Sequence, residues 1–274
     1  MNRAASPIVV AGSLSLHPVR LGAAMHEAGY RALGLDWRYV PFAVRSEDLA
    51  GALAGMRALG IRGLGVSMPF KLEVMPLLDA LDPLAARIGA VNTIVNDDGR
   101  LSGHNTDAEG AARALEEVVG DLRGARCIVL GAGGASRAVV HGLLARGASV
   151  SVTSRRQDEA RALASSAGAS TLEWENRARA DADILVNATS AGMDTGSGPG
   201  PSPLAGLRLA PSLLVMDIVY KPLHTTLLTD ARAAGCRTVA GDRMLLHQAA
   251  RQFELYTGRT APLAEMDAAL QTGR

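Results

Sequence analysis

Apolar positions along the chain alternate between two kinds of segment. Short, mostly apolar runs such as 125–130 (ARCIVL) are typical of buried strands, and they alternate with longer Ala-, Leu- and Arg-rich stretches that are typical of helices. This alternation predicts an α/β fold with mostly parallel sheet. The predicted strands are 7–11, 37–40, 63–66, 90–96, 125–130, 149–153, 184–187, 213–217 and 237–239. The predicted helices are 18–29, 46–59, 71–80, 83–88, 106–119, 137–146, 158–167, 226–234 and 244–256.

Two α/β domains with a cleft between them are the predicted architecture, because a second series of strands and helices begins after His104. The predicted boundaries are 1–105 for the first domain and 106–240 for the second. A C-terminal helical segment, 241–274, is predicted to pack back on the first domain. The segment 194–203 (DTGSGPGPSP) is the most loop-like in the chain and predicts a mobile surface loop.

Composition narrows the class of protein. The chain has 274 residues and a formal net charge of +1, which disfavours partners such as nucleic acid or an anionic membrane surface. No apolar run approaches the roughly 20 residues that a membrane span requires. Cys127 and Cys236 are the only cysteines and have no zinc-like spacing, so neither a disulfide framework nor a metal site is expected. The predicted compartment is the cytoplasm.

Lysine is unusually rare in this chain. Of the 28 basic residues only Lys71 and Lys221 are lysines, and the others are arginines. One interpretation of the arginine excess is a codon bias that makes arginine the default surface cation. A lysine kept in such a chain favours a site whose group must lose its proton, which a guanidinium group does not do.

A glycine-rich turn, 131–134 (GAGG), follows the strand at 125–130 and precedes a helix. Glycines allow a tight turn, and the N–H groups at the helix start bind a pyrophosphate, so the turn predicts a dinucleotide site. The next predicted strand ends at Ser154, Arg155 and Arg156, where an NAD site usually carries an acidic residue. Two guanidinium groups there favour NADP, although arginines that merely solvate a helix start are the alternative.

Four short segments place polar groups beside predicted strands: 12–15 (GSLS), 66–71 (VSMPFK), 90–93 (AVNT) and 103–107 (GHNTD). Ser13 and Ser15 share one side of the first strand, and we expect them just before a helix N-terminus, where they suit a small carboxylate. Asn92 puts an amide within an apolar strand, where it must find partners. The alternatives are that Ser15 and Asp107 only cap helices.

Together these residues resemble the shikimate dehydrogenase family, which also includes quinate dehydrogenases. The resemblance extends over nearly the whole chain, and it includes PFK at 69–71, GHNTDAEG at 103–110, NATSAGM at 187–193 and GDRMLLHQA at 241–249. It implies an N-terminal α/β substrate domain and a Rossmann-type NADP-binding domain. It also implies reversible reduction of 3-dehydroshikimate to shikimate by a monomer or homodimer.

The resemblance also implies roles for individual residues. Lys71 and Asp107 form the catalytic pair, which moves the hydroxyl proton as a coupled unit while hydride is transferred. The substrate-binding residues implied are Ser13, Ser15, Ser67, Asn92, Tyr220 and Gln248. The cofactor-binding residues implied are Gly131, Ala132, Gly133, Gly134, Ala135, Ser154, Arg155, Arg156, Thr189, Met193 and Gly241. Because one small substrate would touch both Ser13 and Gln248, the helix at 244–256 is expected to fold back over the first domain.

Two departures from the usual family pattern favour the divergent shikimate dehydrogenase-like branch. The segment after Ser15 reads LHPVR, and Gly65 stands where the family usually has asparagine, so an amide that helps to hold the substrate is missing. Two alternatives to shikimate oxidation stay open. One is the same chemistry on quinate or an aminoshikimate-type acid, and the other is an NADP-binding sensor without catalysis. Retention of both Lys71 and Asp107 speaks against a sensor.

Overall fold

The structure is a computed structural model, and it describes residues 8–18, 20–178, 181–194, 196 and 198–273. The contacts divide the chain into two compact units. Unit 1 comprises Met1–Thr106 and Ala249–Arg274, and unit 2 comprises Asp107–Gln248. The second boundary falls inside one continuous helix, Gly241–Thr257, eight residues beyond the predicted boundary at 240/241.

Unit 1 contains a six-stranded mixed sheet with the strand order β2-β1-β3-β5-β6-β4. β1 runs parallel to β2 and β3, β5 is antiparallel to β3 and β6, and β4 is parallel to β6. The strands are β1 Val9–Ser15, β2 Trp37–Ala43, β3 Gly63–Val66, β4 Ala80–Leu81, β5 Thr93–Asp97 and β6 Arg100–His104. The helices are α1 Leu21–Ala32, α2 Leu49–Ala58, α3 Pro83–Ile88, the last part of α8 Gly241–Thr257, and α9 Leu263–Thr272.

Several predicted elements of unit 1 were wrong in extent or type. β1 pairs with β2 as far as Ser15↔Ala43, so Ser13 and Ser15 lie within the strand, and residues 16–20 separate them from α1. The two serines are therefore not immediately before a helix N-terminus. The predicted strand start at Pro7 lies outside the described residues.

The predicted helix at 71–80 is instead a series of turns, a short 3-10 helix at Met75–Leu77, and β4. Pairing of Ala80 with Ser102 on β6 draws its end into the sheet. The predicted helix at 46–59 begins with a 3-10 turn, Ser46–Asp48, and α2 follows it from Leu49. The strands β4 and β6 were not predicted, and α9 was predicted only as part of the helical segment 241–274.

An aromatic cluster closes one side of the unit 1 sheet. The fully buried His26 ring stacks on Tyr39, with ring centroids 4.4 Å apart, and it also faces Tyr30, Phe253 and Tyr256. Glycines make room for these rings, since a Cβ at Gly63 would lie 2.1 Å from the Tyr256 ring. The C-terminal part of α8 is thus a structural part of unit 1.

Unit 2 contains a six-stranded parallel sheet with the strand order β12-β11-β10-β7-β8-β9. Its core is aliphatic, built from residues such as Leu115, Val129, Val152 and Val186. The strands are β7 Arg126–Leu130, β8 Ser149–Thr153, β9 Ser170–Thr171, β10 Ile184–Asn187, β11 Leu214–Asp217 and β12 Arg237–Val239. The helices are α4 Asp107–Val119, α5 Gly134–Ala145, α6 Gln157–Ala167, α7 Thr226–Ala233 and the first part of α8.

The predicted strands and helices of unit 2 agree with the structure to within a few residues, and the α/β fold with a Rossmann-like parallel sheet is confirmed. In the predicted loop 194–203, the Asp194 carboxylate accepts hydrogen bonds from the N–H groups of Gly196 and Gly198, and residues 195 and 197 lie outside the described part of the chain. Within the described part of the chain, no helix combines the length and apolar character required to span a bilayer.

Candidate active site

The carboxyl edge of the unit 2 sheet carries most of the predicted cofactor residues. The glycine turn follows β7, and the strand order changes direction between β7 and its neighbours β8 and β10. This is the topological switch point at which open α/β sheets bind nucleotides. The residues predicted to surround NADP follow β7, β8, β10 and β12, which bring them to one edge of the sheet: Gly131, Ala132, Gly133, Gly134, Ala135, Ser154, Arg155, Arg156, Thr189, Met193 and Gly241.

The glycine turn is shaped for close approach. Gly131 has φ +110°, and a Cβ there would lie 2.7 Å from the Ser136 hydroxyl, so only glycine fits. At Gly133 and Gly134 an added Cβ would meet no described atom within 4 Å. These two glycines border open space at the start of α5, where N–H groups are available to an anionic ligand.

The two arginines after β8 differ in their surroundings. Both are exposed, but the Arg156 guanidinium lies 2.8 Å from the Glu159 carboxylate. The Ser154 hydroxyl accepts the N–H of Arg156, which fixes the turn into α6. Among the described residues, Glu159 pairs with Arg156, and no ion pair of this kind is seen for Arg155.

A buried polar network holds the loops after β10 and β11. The Asp217 carboxylate accepts hydrogen bonds from Thr225 Oγ (2.7 Å), Asn187 Nδ2 (2.9 Å) and the N–H of Val219 (3.1 Å). Asn187 Oδ1 in turn accepts the N–H and hydroxyl of Thr189. Burial raises the pKa of Asp217 to about 6, against the effect of its hydrogen bonds. The network fixes the backbone of the loops that follow β10 and β11.

Gly241 and Gln248 lie at close helix contacts in unit 2. A Cβ at Gly241 would lie 2.4 Å from the Ile218 carbonyl oxygen, so Gly241 is required for packing at the start of α8. Gly110 of α4 has the same function further along α8, since its Cβ would lie 3.0 Å from Gln248 Cβ. Asp107, which is 5% exposed, begins α4, and Gln248 is half-buried.

Glu117, near the end of α4, fixes the same pair of helices. Its carboxylate accepts hydrogen bonds from the Arg243 guanidinium (2.6 and 2.8 Å) and lies 2.8 Å from His247 Nε2. Burial acts to raise the pKa of Glu117, but the hydrogen bonds from Arg243 and His247 lower it overall. The positions of Asp107 and Gln248 are therefore set by contacts along both helices.

In unit 1 the predicted substrate residues lie at the ends of adjacent strands. Ser13 is in register with Gly65 of β3, and the N–H of Ser67 donates to the Leu14 carbonyl. The N–H of Val91 donates to the carbonyl of Lys71 (2.8 Å), which ties the lysine turn to the segment before β5. The strands thus gather Ser13, Ser15, Ser67, Lys71 and Asn92 at one edge of this sheet.

The Asn92 carboxamide is buried and firmly oriented. Its Oδ1 accepts the N–H of Thr106 (2.7 Å) and the Thr93 hydroxyl (2.8 Å), and its Nδ2 donates to Thr106 Oγ (3.0 Å). The prediction that this amide needs partners is correct. Its further role toward a substrate stays a prediction.

Sequence reasoning missed two residues of this edge, Tyr39 and Gln252. Burial raises the pKa of the Tyr39 hydroxyl above its usual value, and an interaction with Ser13 acts in the opposite direction. Gln252 is 7% exposed and donates to the Asn92 carbonyl and to Thr93 Oγ. A signal for Gln252 was present, because it follows Gln248 by one helical turn on α8.

Comparisons with known proteins agree across the chain. Residues 17–94 match the family model described as the shikimate dehydrogenase substrate binding domain. Residues 113–194 match the shikimate / quinate 5-dehydrogenase model, and residues 243–271 match the shikimate 5'-dehydrogenase C-terminal domain.

Individual relatives cover nearly all of both units. Shikimate dehydrogenase (NADP(+)) of Moorella thermoacetica is 44% identical over 93% of this chain and 90% of its own length. A crystal structure of a shikimate dehydrogenase with NADP+ superposes with a TM-score of 0.90 at 34% identity, covering 97% of this chain and 95% of that chain. The Thermus thermophilus enzyme with NADP(H) and shikimate gives a TM-score of 0.85 at 36% identity, covering 97% and 99%. This chain belongs to the shikimate dehydrogenase family.

Proposed function

We propose that this protein is an NADP-dependent oxidoreductase that reversibly reduces 3-dehydroshikimate to shikimate. The observation that carries the proposal is the 44% identity to a shikimate dehydrogenase (NADP(+)) across both units. The predicted catalytic lysine and aspartate both lie inside the shared motifs.

The edge of unit 2 fits NADP. The open space at Gly133 and Gly134, the start of α5 and the exposed Arg155 suit a pyrophosphate and a 2′-phosphate. When bound, the nicotinamide supplies the hydride acceptor or donor. The residues of the turn bind and orient the dinucleotide, and Arg155 discriminates NADP from NAD.

Lys71 and Asp107 supply the proton transfer. Oxidation of a secondary alcohol releases its hydroxyl proton, and reduction of the ketone requires one at the same oxygen. An amine and a carboxylate together hold and return this proton as a coupled pair, so it belongs to the pair and not to one residue.

Hydroxyl and amide side chains hold the substrate. We assign the carboxylate of shikimate to Ser13, Ser15 and Tyr220, and the ring hydroxyls to Ser67, Asn92 and Gln248. Shikimate carries several hydroxyl groups, and a site that pairs each of them rejects analogues that lack one.

A steady-state panel tests the proposal. Shikimate, quinate and an aminoshikimate are each assayed with NADP+ and with NAD+ by the formation of the reduced cofactor. The proposal expects the highest kcat/KM for shikimate with NADP+. A preference for quinate would transfer the same chemistry to another acid, and binding of NADP without turnover of any acid would indicate a sensor.

A further inference from the structure

Gln252 has a buried carboxamide that contacts the backbone of Asn92 and the side chain of Thr93. It lies in the part of α8 that belongs to unit 1, and its Nε2 donates to the Asn92 carbonyl (3.2 Å) and to Thr93 Oγ (3.1 Å). An amide nitrogen is a donor only, so the Thr93 oxygen must accept this bond.

The next bond runs from the Thr93 hydroxyl to Asn92 Oδ1, because an amide oxygen only accepts. The Thr93 hydroxyl has one hydrogen, and its Oγ lies 2.8 Å from Asn92 Oδ1. With Gln252 donating, the Thr93 hydrogen is available for Asn92 Oδ1, which also accepts the N–H of Thr106. The series therefore runs from Gln252 through Thr93 to Asn92 Oδ1, and Asn92 Nδ2 donates to Thr106 Oγ (3.0 Å).

Gly65 makes this arrangement possible. A Cβ at Gly65 would lie 3.2 Å from Gln252 Nε2, 3.5 Å from its Oε1 and 3.3 Å from the Tyr39 hydroxyl. The carboxamide of Gln252 thus borders the space that a side chain at position 65 would fill. Gly65 lacks the amide that the family usually has at this position, and the Gln252 carboxamide of α8 lies beside it.

We infer that Gln252 is a positioning residue for substrate recognition and that Gly65 and Gln252 act as a coupled pair. Gln252 orients Asn92 through Thr93, and the absence of a side chain at position 65 lets it do so. The inference rests on the proposed function, because it assigns Asn92 to the substrate hydroxyls.

The test is a double-mutant cycle with Gly65→Ala and Gln252→Ala, together with Gln252→Met. Gly65→Ala displaces the amide and Gln252→Met removes its donors at similar volume, so each should raise KM for shikimate about 5- to 30-fold. KM for NADP should change by less than about twofold. In the Gln252→Ala background, Gly65→Ala should add less than about twofold, because the displaced amide is already absent.

Matched controls separate this effect from general changes in the fold. Gly51→Ala adds the same methyl group on α2, where a Cβ meets no described atom within 4 Å. Gln271→Met makes the same exchange on the exposed face of α9. Both should leave KM for shikimate unchanged.

The inference is overturned if Gln252→Met leaves KM for shikimate within about twofold of wild type, or if the two alanine substitutions multiply. Turnover of no acid by the wild type contradicts the proposed function instead. In that case the same cycle is measured by the free energy of urea unfolding of the full chain. Coupling between Gly65→Ala and Gln252→Ala supports the coupled pair, and additivity overturns it.

Discussion

The two sheets differ in how their candidate residues are brought together. In unit 2 each group follows its own strand within a few residues, as in the turn at 131–134 after β7 and the arginines after β8. In unit 1 the polar edge depends on distant segments, because Asn92 and Thr93 are held by Gln252 of α8. The glycine turn of unit 2 is encoded by consecutive residues, whereas the polar edge of unit 1 is assembled by tertiary packing.

The two units also differ in the surroundings of a buried titratable group. His26 lies among aromatic rings, and burial lowers its pKa to about 4, although Gln252 opposes part of this shift. Neither ring nitrogen meets hydrogen-bond geometry with a described residue. Asp217 is instead surrounded by hydrogen-bond donors, yet its pKa is raised. One unit tolerates a neutral imidazole through packing, and the other holds a carboxyl group within a polar network.

The largest expected effect comes from a substitution in unit 1 that leaves unit 2 unchanged. Lys71→Ala should lower kcat about 100-fold or more, which is the usual scale for the loss of a general acid–base group. Dissociation constants for NADP, measured by fluorescence titration, should stay within about twofold. Lys221→Ala is the matched control, since Lys221 is the other lysine of the chain. A Lys71→Ala variant with near-normal kcat would make Lys71 a binding or structural residue.

The second prediction concerns how His26 and Asp217 change the free energy of unfolding with pH. Burial lowers the pKa of His26 from its usual 6.5 to about 4, so its contribution to stability is complete above about pH 6.5 and is lost as pH falls to 4. The loss is about 3 kcal/mol in the free energy of unfolding. Asp217 has the opposite sign, because its raised pKa of about 6 makes it favour folding as pH falls.

His26→Phe tests this difference, since it keeps an aromatic ring against Tyr39 and removes the titration. Urea unfolding at about pH 7 and about pH 4 should show that the variant loses about 3 kcal/mol less than wild type on acidification. Asp217 then remains and works in the opposite direction. Identical pH profiles for variant and wild type would contradict a neutral, buried His26.

The third prediction sharpens the cofactor edge. Arg155→Ala should raise KM for NADP about 10- to 100-fold, because a charge-assisted phosphate contact contributes about 1.5–3 kcal/mol. Arg156→Ala should have a smaller effect, since Glu159 already shares its charge. KM for NAD should change little in either variant. Arg161→Ala on α6 is the control, and an equal loss with both cofactors would refute the assignment.

The smallest expected effect concerns Gln248. Gln248→Ala should raise KM for shikimate about 2- to 12-fold, the range for one neutral hydrogen bond, without changing affinity for NADP. Gln271→Ala is the control, because Gln271 is exposed on α9. A weakened affinity for NADP in the Gln248 variant would place this amide at the cofactor instead.

Local sequence signals predicted unit 2 well and unit 1 less well. The strands Ser149–Thr153 and Ile184–Asn187 were predicted with their actual bounds, because apolar runs between helices are clear in a parallel sheet. The strand β4 and the extension of β1 to Ser15 depend on pairing with distant strands, which no local pattern shows. The spacing of Gln252 one helical turn after Gln248 was a signal for its face of α8, but its contacts with Asn92 and Thr93 depend on tertiary packing.

The division of α8 between the units has a consequence for synthesis on the ribosome. Unit 1 is discontinuous, so its first segment emerges long before Phe253 and Tyr256, which cover His26. Unit 2 is one uninterrupted stretch and leaves the ribosome whole in between. At roughly 5–20 residues per second, the nascent first segment waits on the order of ten seconds with its aromatic surface uncovered. During that interval the apolar surface of unit 1 is accessible to chaperones. Phe253 and Tyr256 cover this surface only after the C-terminal helices have left the ribosome.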